Sequence, residues 1–538
     1  MNYLLFPGRH LLNTTFQEEY LKCLLTEPPA NWPGVLAGKK AGVDIPEMVI
    51  FAITSANQDN SRFNPIPFHI RAIGVDRFAS QLRRQTPFQY RILGIPHYGH
   101  TKNFAAFTLK EIADQTEQTI RLSPENCIVL CSTPEVSRLY QELGFAIASA
   151  ELSVQEPRPA TPIDIVREIG AQKQGWRAGP LAATQLAASH AILFEDFPEV
   201  PQRIARLYQD PLTNQEGSLT ATRNYSSYAR GMNEIIRLKY LDIRDAIRSG
   251  RIVDEGCADG ALLAEVSRDF PDADLYGIDL SAEFAGRFLE RQRAGEFGGA
   301  YVHFFPRNLF DRIFEPDSIA TTICNSTLHE IWSYGEGERS VRGYLAEKFR
   351  QLQPGGRLLI RDVVGPEDGE REVWLWCSDE DGENPAPNAL AGHPSREAQW
   401  LCSLSTRSRF HLFAVDFRHG RSGFAFTTET RDGRLRFRLS QRNAAEFLSK
   451  KDYTDNWSSE MNEEFCFWSI TRWKQVLTET GFRIIENSSH PREGSRVYAN
   501  PWIIEHRHLG HVDIAGADGE SLPWPPTNMV LVAEKPAA

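Results

Sequence analysis

Residues 252–281 read IVDEGCADGALLAEVSRDFPDADLYGIDLS, and the order of residue types decides the fold of the surrounding chain. A short apolar strand runs into a glycine turn, then a helix, then a second strand that ends in an acid. Gly256, Ala258 and Gly260 let the backbone pass close to a ligand at the opening of the helix, where unpaired N–H groups attract anionic or polar atoms. Asp279 closes the second strand, placed to accept both hydroxyls of a ribose. The whole is half of a nucleotide-binding βαβ unit.

A glycine turn followed by an acid about twenty residues later suits either a dinucleotide or S-adenosylmethionine. The run Asp254-Glu255-Gly256-Cys257-Ala258-Asp259-Gly260 resembles the first motif of the class I S-adenosylmethionine-dependent methyltransferases: acid, apolar, Gly, x, Gly, x, Gly. Two positions depart from it. Glu255 stands where an apolar residue is usual, and Ala258 replaces the middle glycine, adding one methyl group to the turn. The resemblance implies Asp254, Gly256, Ala258, Gly260 and Asp279 as cofactor-binding residues.

The flanking chain fits the same core. Ser226-Ser227 can cap a preceding helix that carries Ile235, Ile236, Leu238, Leu241, Ile243 and Ile247 at helical spacing. A third strand, Tyr301 to Pro306, ends near Asn308; in the resembled family a polar residue there commonly holds the adenine amino group. A fourth strand ends in Asn325-Ser326-Thr327-Leu328-His329-Glu330. Ligands of open α/β sheets lie beyond the carboxyl ends of the strands, so Asn325 is expected against the cofactor, with His329 and Glu330 beside the methyl acceptor as catalytic residues. Histidine suits the removal of a proton from a hydroxyl or amine. The phrase LQPGGRLLIRD, residues 352–362, is common in the same family; it predicts a helix from Val341 to Gln353, a stop at Pro354-Gly355-Gly356 and a strand from Arg357 to Val364.

The expected end of this core, a helix at Ser469–Thr480 and the strands GFRIIENSS and NMVLVAEK, is delayed by residues 365–468. That insertion is far longer than an ordinary connection and reads as a lid or acceptor-binding subdomain. Its segment Lys450 to Phe467 offers Asp452, Tyr453, Trp457, Glu460 and Glu463 as acceptor contacts. His506, His508 and His511 lack an accompanying cysteine or carboxylate pattern, so no metal site is expected.

Before residue 225, apolar runs recur at Tyr3–Phe6, Met48–Ile53, Tyr90–Ile95, Cys127–Cys131 and Ala191–Phe194 with helical patterns between them. Alternating strands and helices predict a second parallel sheet with helices on both faces. The fold class is therefore α/β with two Rossmann-like doubly wound domains, 1–225 and 226–538, joined through the turn-rich stretch Asp210 to Tyr228.

The first domain resembles the nucleotidyltransferases of the HxGH superfamily, especially the nicotinamide-mononucleotide adenylyltransferases. Its first strand ends in Phe6-Pro7-Gly8-Arg9, and Thr14-Thr15-Phe16-Gln17 occupies the HxGH positions, so the family's glycine and second histidine are missing. Asn64, Pro65 and Arg71 match a later segment, and Ser218-Leu219-Thr220-Ala221-Thr222-Arg223 matches the ISxTxxR element whose hydroxyls and arginine hold phosphates. The resemblance implies Gly8, Arg9, Thr14, Gln17, Asn64, Ser218, Thr220 and Arg223 as nucleotide-binding residues, with transfer impaired. A literal HxGH at His97-Tyr98-Gly99-His100 lies in the wrong place for that signature and is read as coincidence.

Composition narrows the function classes. A net charge of −11 over 538 residues argues against an extended nucleic-acid footprint. Eight cysteines without CxxC spacing read as free thiols in a reducing compartment, with no secretory signal and no apolar run long enough for a membrane span. The expectation is a cytoplasmic methyltransferase using S-adenosylmethionine on a small-molecule or nucleotide-like acceptor, with a nucleotide possible at the first domain. The alternatives are a bifunctional enzyme active in both domains, a nucleotide-sensing regulatory protein and, third, a nicotinamide-dependent oxidoreductase.

Overall fold

The computed structural model describes residues 1–32, 44–97, 103–131, 133–149, 159–209, 235–393, 395–420, 424–431, 433–486 and 493–537. The chain divides into two compact units, Met1–Ser218 and Leu219–Ala538, both mixed α/β.

The first unit is built on a five-stranded sheet in the order β3-β2-β1-β4-β5, from β1 (Tyr3–Gly8), β2 (Met48–Thr54), β3 (Gln89–Ile95), β4 (Cys127–Leu130) and β5 (Ala146–Ala148). Every pairing is parallel. The central strands are near-continuous apolar runs because both faces are covered. The run Ala191–Phe194, expected as a strand, instead lies in the helix Ala188–Asp196. Ser189, His190, Leu193 and Phe194 are its buried residues, a helical spacing that the short apolar run concealed. The fifth strand is the short Ala146–Ala148.

In the second unit β6 (Arg251–Glu255), β7 (Asp274–Asp279), β8 (Tyr301–Pro306), β9 (Ile319–Asn325) and β10 (Leu352–Asp362) pair in parallel. With β14 (Arg483–Ile484) and β17 (Asn528–Glu534) the order is β14-β17-β10-β9-β6-β7-β8, and β15 (Arg496–Tyr498) also pairs with β17. The direction of winding reverses between β6 and β9, which puts the ligand crevice beyond their carboxyl ends. The strand expected from Arg357 begins at Leu352, with a register irregularity between those two residues. Gly355 takes a φ of 77° there, and a Cβ on Gly356 would stand 2.8 Å from the carbonyl oxygens of Gln353 and Ile319, so the Pro-Gly-Gly turn is sterically required.

The insertion folds around its own antiparallel sheet. β11 (Glu372–Cys377), β12 (Phe426–Arg431), β13 (Arg434–Ser440) and β16 (Val512–Gly516) are ordered β12-β13-β11-β16. Phe410, Phe413, Phe437, Phe447 and Trp457 are buried in its core. β16 lies well after Trp468, so this subdomain draws on chain beyond the expected insertion. Among the described residues no helix is long and apolar enough to cross a membrane.

Candidate active site

The turn after β6 is held by the neighbouring strand: the N–H groups of Gly256 and Cys257 donate to the carbonyl of Ile278 at 2.9 and 3.1 Å. Gly256, Ala258 and Gly260 have φ values of 74°, 47° and 81°, the left-handed region that costs a residue with a side chain about 1–2 kcal/mol. A Cβ on Gly256 would meet Thr327 Oγ1 at 2.6 Å, and one on Gly260 would meet the Phe288 ring at 2.5 Å. The two glycines thus make room for this chain's own side chains. Gly260 is the N-cap of the helix Ala261–Asp269.

Asp279 is anchored from both sides. Its Oδ2 accepts the Ala258 N–H at 3.0 Å and its Oδ1 the Ser281 N–H at 2.9 Å. Burial pushes its carboxyl up to about 6, against the opposing pull of those two N–H groups. Asp254, at the end of β6, is pushed further, to about 8, by burial and then by the nearby Glu255 and Asp279. Lys239 lies close by, donating to Ser326 Oγ at 3.3 Å; burial and then Arg361 lower it to about 7. Asn325, at the end of β9, has a buried Oδ1 with no hydrogen-bond partner. Asn308 is buried, and its Oδ1 accepts the Phe310 N–H at 2.9 Å, shaping the turn after β8.

Glu255, the charged residue at a normally apolar motif position, has a partner. Its Oε1 lies 2.6 Å from Nζ of Lys348, with the two side chains 0% and 1% exposed. Lys348 also donates to Gln351 Oε1 at 3.3 Å. This buried ion pair joins β6 to the helix Glu338–Gln351.

On the other side of the crevice His329 is gripped by two carboxylates. Its Nδ1 is 2.7 Å from Asp362 Oδ1 and its Nε2 is 3.4 Å from Glu463 Oε2. Asp362, at the end of β10, also accepts the N–H groups of Thr327 and Leu328 through Oδ2, at 3.2 and 2.7 Å. Burial alone would lower the His329 imidazole, but Asp362 and Glu463 outweigh it and hold it well above its usual value. Asp362 in turn is held low: burial raises it, and His329 more than offsets that. The expected base therefore has a carboxylate at each ring nitrogen, and both carboxylates favour its protonated form. Glu330, half-buried, joins His329 and Glu463 in one cluster whose candidate ligand atoms lie within 4.8 Å of one another. Glu463 comes from the insertion; Tyr334 donates to its Oε1 at 3.1 Å. Asp362 was visible as the last letter of LQPGGRLLIRD, and Glu463 as one acid of an acidic segment, but neither was legible as a partner of His329.

Other residues of that segment have partners within the insertion. Trp457 is buried and donates to Asp416 Oδ2 at 2.9 Å. Asp452 pairs with Arg409 at 3.0 Å and Lys451 at 2.8 Å. The three late histidines diverge: His506 stacks on Trp502, His508 packs on Trp524, and His511 meets Asp381 Oδ2 at 2.7 Å.

In the first unit Thr14 and Gln17 form a capping box at the start of the helix Thr15–Thr26. Thr14 Oγ1 accepts the Gln17 N–H, and Gln17 Oε1 accepts the Thr14 N–H, each at 3.1 Å. Arg9, beside Gly8 at the end of β1, donates to the Phe63 carbonyl at 2.8 Å. Arg71 is buried and donates to the carbonyls of Arg9, Thr54 and Ser55, each at 2.9 Å, tying β1 to β2. Asn64 is buried, its Nδ2 donating to Gln58 at 3.4 Å while its Oδ1 has no partner. Ser218, Thr220 and Arg223 lie outside the described residues, as do Tyr98, Gly99 and His100 of the literal HxGH.

Residues 253–360 match the model of the methyltransferase domain family. No curated protein matches the chain. Among solved structures the chain is similar to a SAM-dependent methyltransferase from Methanosarcina mazei, at 14% identity over 55% of this chain and 97% of that one, with a TM-score of 0.28. It is also similar to geranyl diphosphate methyltransferase in complex with SAM, at 12% identity over 58% of this chain and 88% of that one, with a TM-score of 0.27. The match runs from β6 to β10, so this stretch is a methyltransferase domain and the protein is an enzyme.

Proposed function

We propose that the enzyme uses S-adenosylmethionine to methylate a small-molecule or nucleotide-like acceptor in the crevice between Asp279 and His329. Asp279 carries the reading: both its oxygens are fixed by backbone N–H groups, and each keeps a lone pair for one ribose hydroxyl. The unpartnered Asn325 Oδ1 fits a ligand donor at the same crevice. Asp254, Gly256, Ala258 and Gly260 line the methionine end, and Asn308 fixes the turn against the adenine. When bound, the cofactor supplies an electrophilic methyl group on a sulfonium. The residues then align the acceptor and remove its proton. His329 positions rather than accepts, because both its nitrogens face carboxylates; half-buried Glu330 takes the proton.

The first unit is proposed to bind a nucleotide without efficient transfer. The capping box supports this, since Thr14 and Gln17 hold a helix end where a charge-stabilising histidine would be needed. The absence of disulfides among the described cysteines fits a cytoplasmic setting.

Calorimetric titration of the full chain with adenosylmethionine tests the first proposal: wild type binds, and Asp279→Asn binds more weakly at unchanged fold. Equal affinity in the variant removes Asp279 from the site. Robust adenylyl transfer by the full chain would overturn the reading of the first unit.

A further inference from the structure

We infer that His329, Glu330 and Glu463 form a binding site for a divalent transition-metal ion on the acceptor side of the crevice. The inference rests on the proposed function only for where the acceptor lies; the site stands on geometry of its own.

The three side chains offer one imidazole nitrogen and two carboxylate oxygens, all within 4.8 Å of one another. His329 Nε2 and Glu463 Oε2 are 3.4 Å apart, long for a hydrogen bond between charged groups. It is the span of two ligands of one ion: metal–ligand bonds of about 2.1 Å at a tetrahedral angle place their ends about 3.4 Å apart.

The surroundings are those of a metal ligand. Asp362 takes the other ring nitrogen of His329 at 2.7 Å, which fixes the ring and aims Nε2 at the two glutamates. Asp362 is itself locked by the Thr327, Leu328 and Val363 N–H groups. Phe465 packs edge-on against His329 at 4.9 Å, and Tyr334 orients Glu463. Both His329 and Glu463 are buried.

Charge points the same way. Asp362, Glu463 and Glu330 gather three acids around one imidazole, and the charge of Lys239 acts on Asp362. Lys450 pairs with Glu446 at 2.8 Å and donates to the backbone carbonyl of Glu463, while Arg361 pairs with Asp242 at 2.8 Å. One imidazole with two carboxylates suits Mn²⁺, Fe²⁺ or Zn²⁺ better than Mg²⁺ or Ca²⁺. Three protein ligands leave positions for an acceptor oxygen, whose proton the ion acidifies. Glu330 ligates through one oxygen and keeps the other for that proton.

The test uses the full chain, stripped with a chelator and titrated with Mn²⁺ alone, followed by electron paramagnetic resonance, and with Zn²⁺ alone by calorimetry. One ion per chain is expected. Glu463→Gln and His329→Gln should each weaken binding at least 100-fold, and Asp362→Asn 10- to 100-fold. Adenosylmethionine titration of each variant reports folding and the cofactor site separately. Absence of saturable binding below about 100 μM for both ions would overturn the site, as would variants that retain adenosylmethionine and bind metal like wild type. Metal binding in wild type without any methyl transfer would uphold the site and defeat only the placement of the acceptor.

Discussion

Replacing Lys348 with methionine removes the cation paired with Glu255 among the described residues and leaves a carboxylate inside the sheet. Two unit charges 2.6 Å apart attract by roughly 6 kcal/mol at an effective dielectric of about 20. Desolvating both ions costs a similar amount, so the pair adds little net stability, whereas breaking it costs about 3–5 kcal/mol. At about 2.1 cal/mol/K per residue the unit Leu219–Ala538 shifts by roughly 1.5 °C per kcal/mol, so Lys348→Met should lower its melting temperature by roughly 4–8 °C. The double variant Glu255→Leu, Lys348→Met fills the same space with apolar atoms and should melt at or above wild type. Scanning calorimetry of the full chain is the assay, with the relevant transition identified by its upward shift on adding adenosylmethionine. A single variant melting within about 2 °C of wild type would refute the reasoning, and so would a double variant as labile as the single one.

Asp279→Asn should weaken adenosylmethionine about 10- to 100-fold in calorimetry, the worth of charge-assisted bonds to two hydroxyls. Cofactor affinity should also be level above about pH 7 and fall about tenfold per unit below pH 6, because the raised carboxyl, at about 6, must ionise to accept both hydroxyls. Without cofactor the sign is opposite: with a folded value above the unfolded one near 3.9, the contribution of Asp279 to folding is complete below about pH 4 and lost as pH rises through 6. Ala258→Gly relieves a left-handed alanine and should leave the melting temperature unchanged or raise it by the equivalent of up to about 1 kcal/mol; a clear loss would show that the methyl group packs favourably. Thr14→Ala removes a capping box and should cost about 1 kcal/mol in the first unit with methyl transfer unaltered, as denaturation and turnover measured side by side would show.

The sheet order around β6 was legible because its signals are local: a strand, a left-handed turn, a capped helix and a terminal acid lie in unbroken sequence. Asp279, Asn325 and His329 followed from where strands end in such a sheet. Their electrostatics did not. Lys348 lies 93 residues from Glu255, and Tyr334 lies 129 residues from its partner Glu463, and no periodicity links such positions. Glu255 alone gives no reason for its charge, and His329 alone gives no sign of the two carboxylates beside it. Ala191–Phe194 misled because four apolar residues suit either period. The sheet of the insertion escaped notice for another reason: β16 returns to it from beyond the helix Ile470–Thr480.

That return bears on how such an enzyme could change its substrate. Gly365 and Ser469 pair as a parallel bridge, with the Gly365 N–H donating to the Trp468 carbonyl at 2.9 Å, so the chain leaves and re-enters the core at one point, as an exchangeable cassette would. β16 cancels that modularity. It pairs with β11 along Val373–Cys377, and cutting out the cassette would strip β16 of its neighbour, exposing a bare strand edge that invites aggregation. Under the proposed placement of the acceptor, new preferences arise by point changes around Glu463 and its supports, with the subdomain inherited whole.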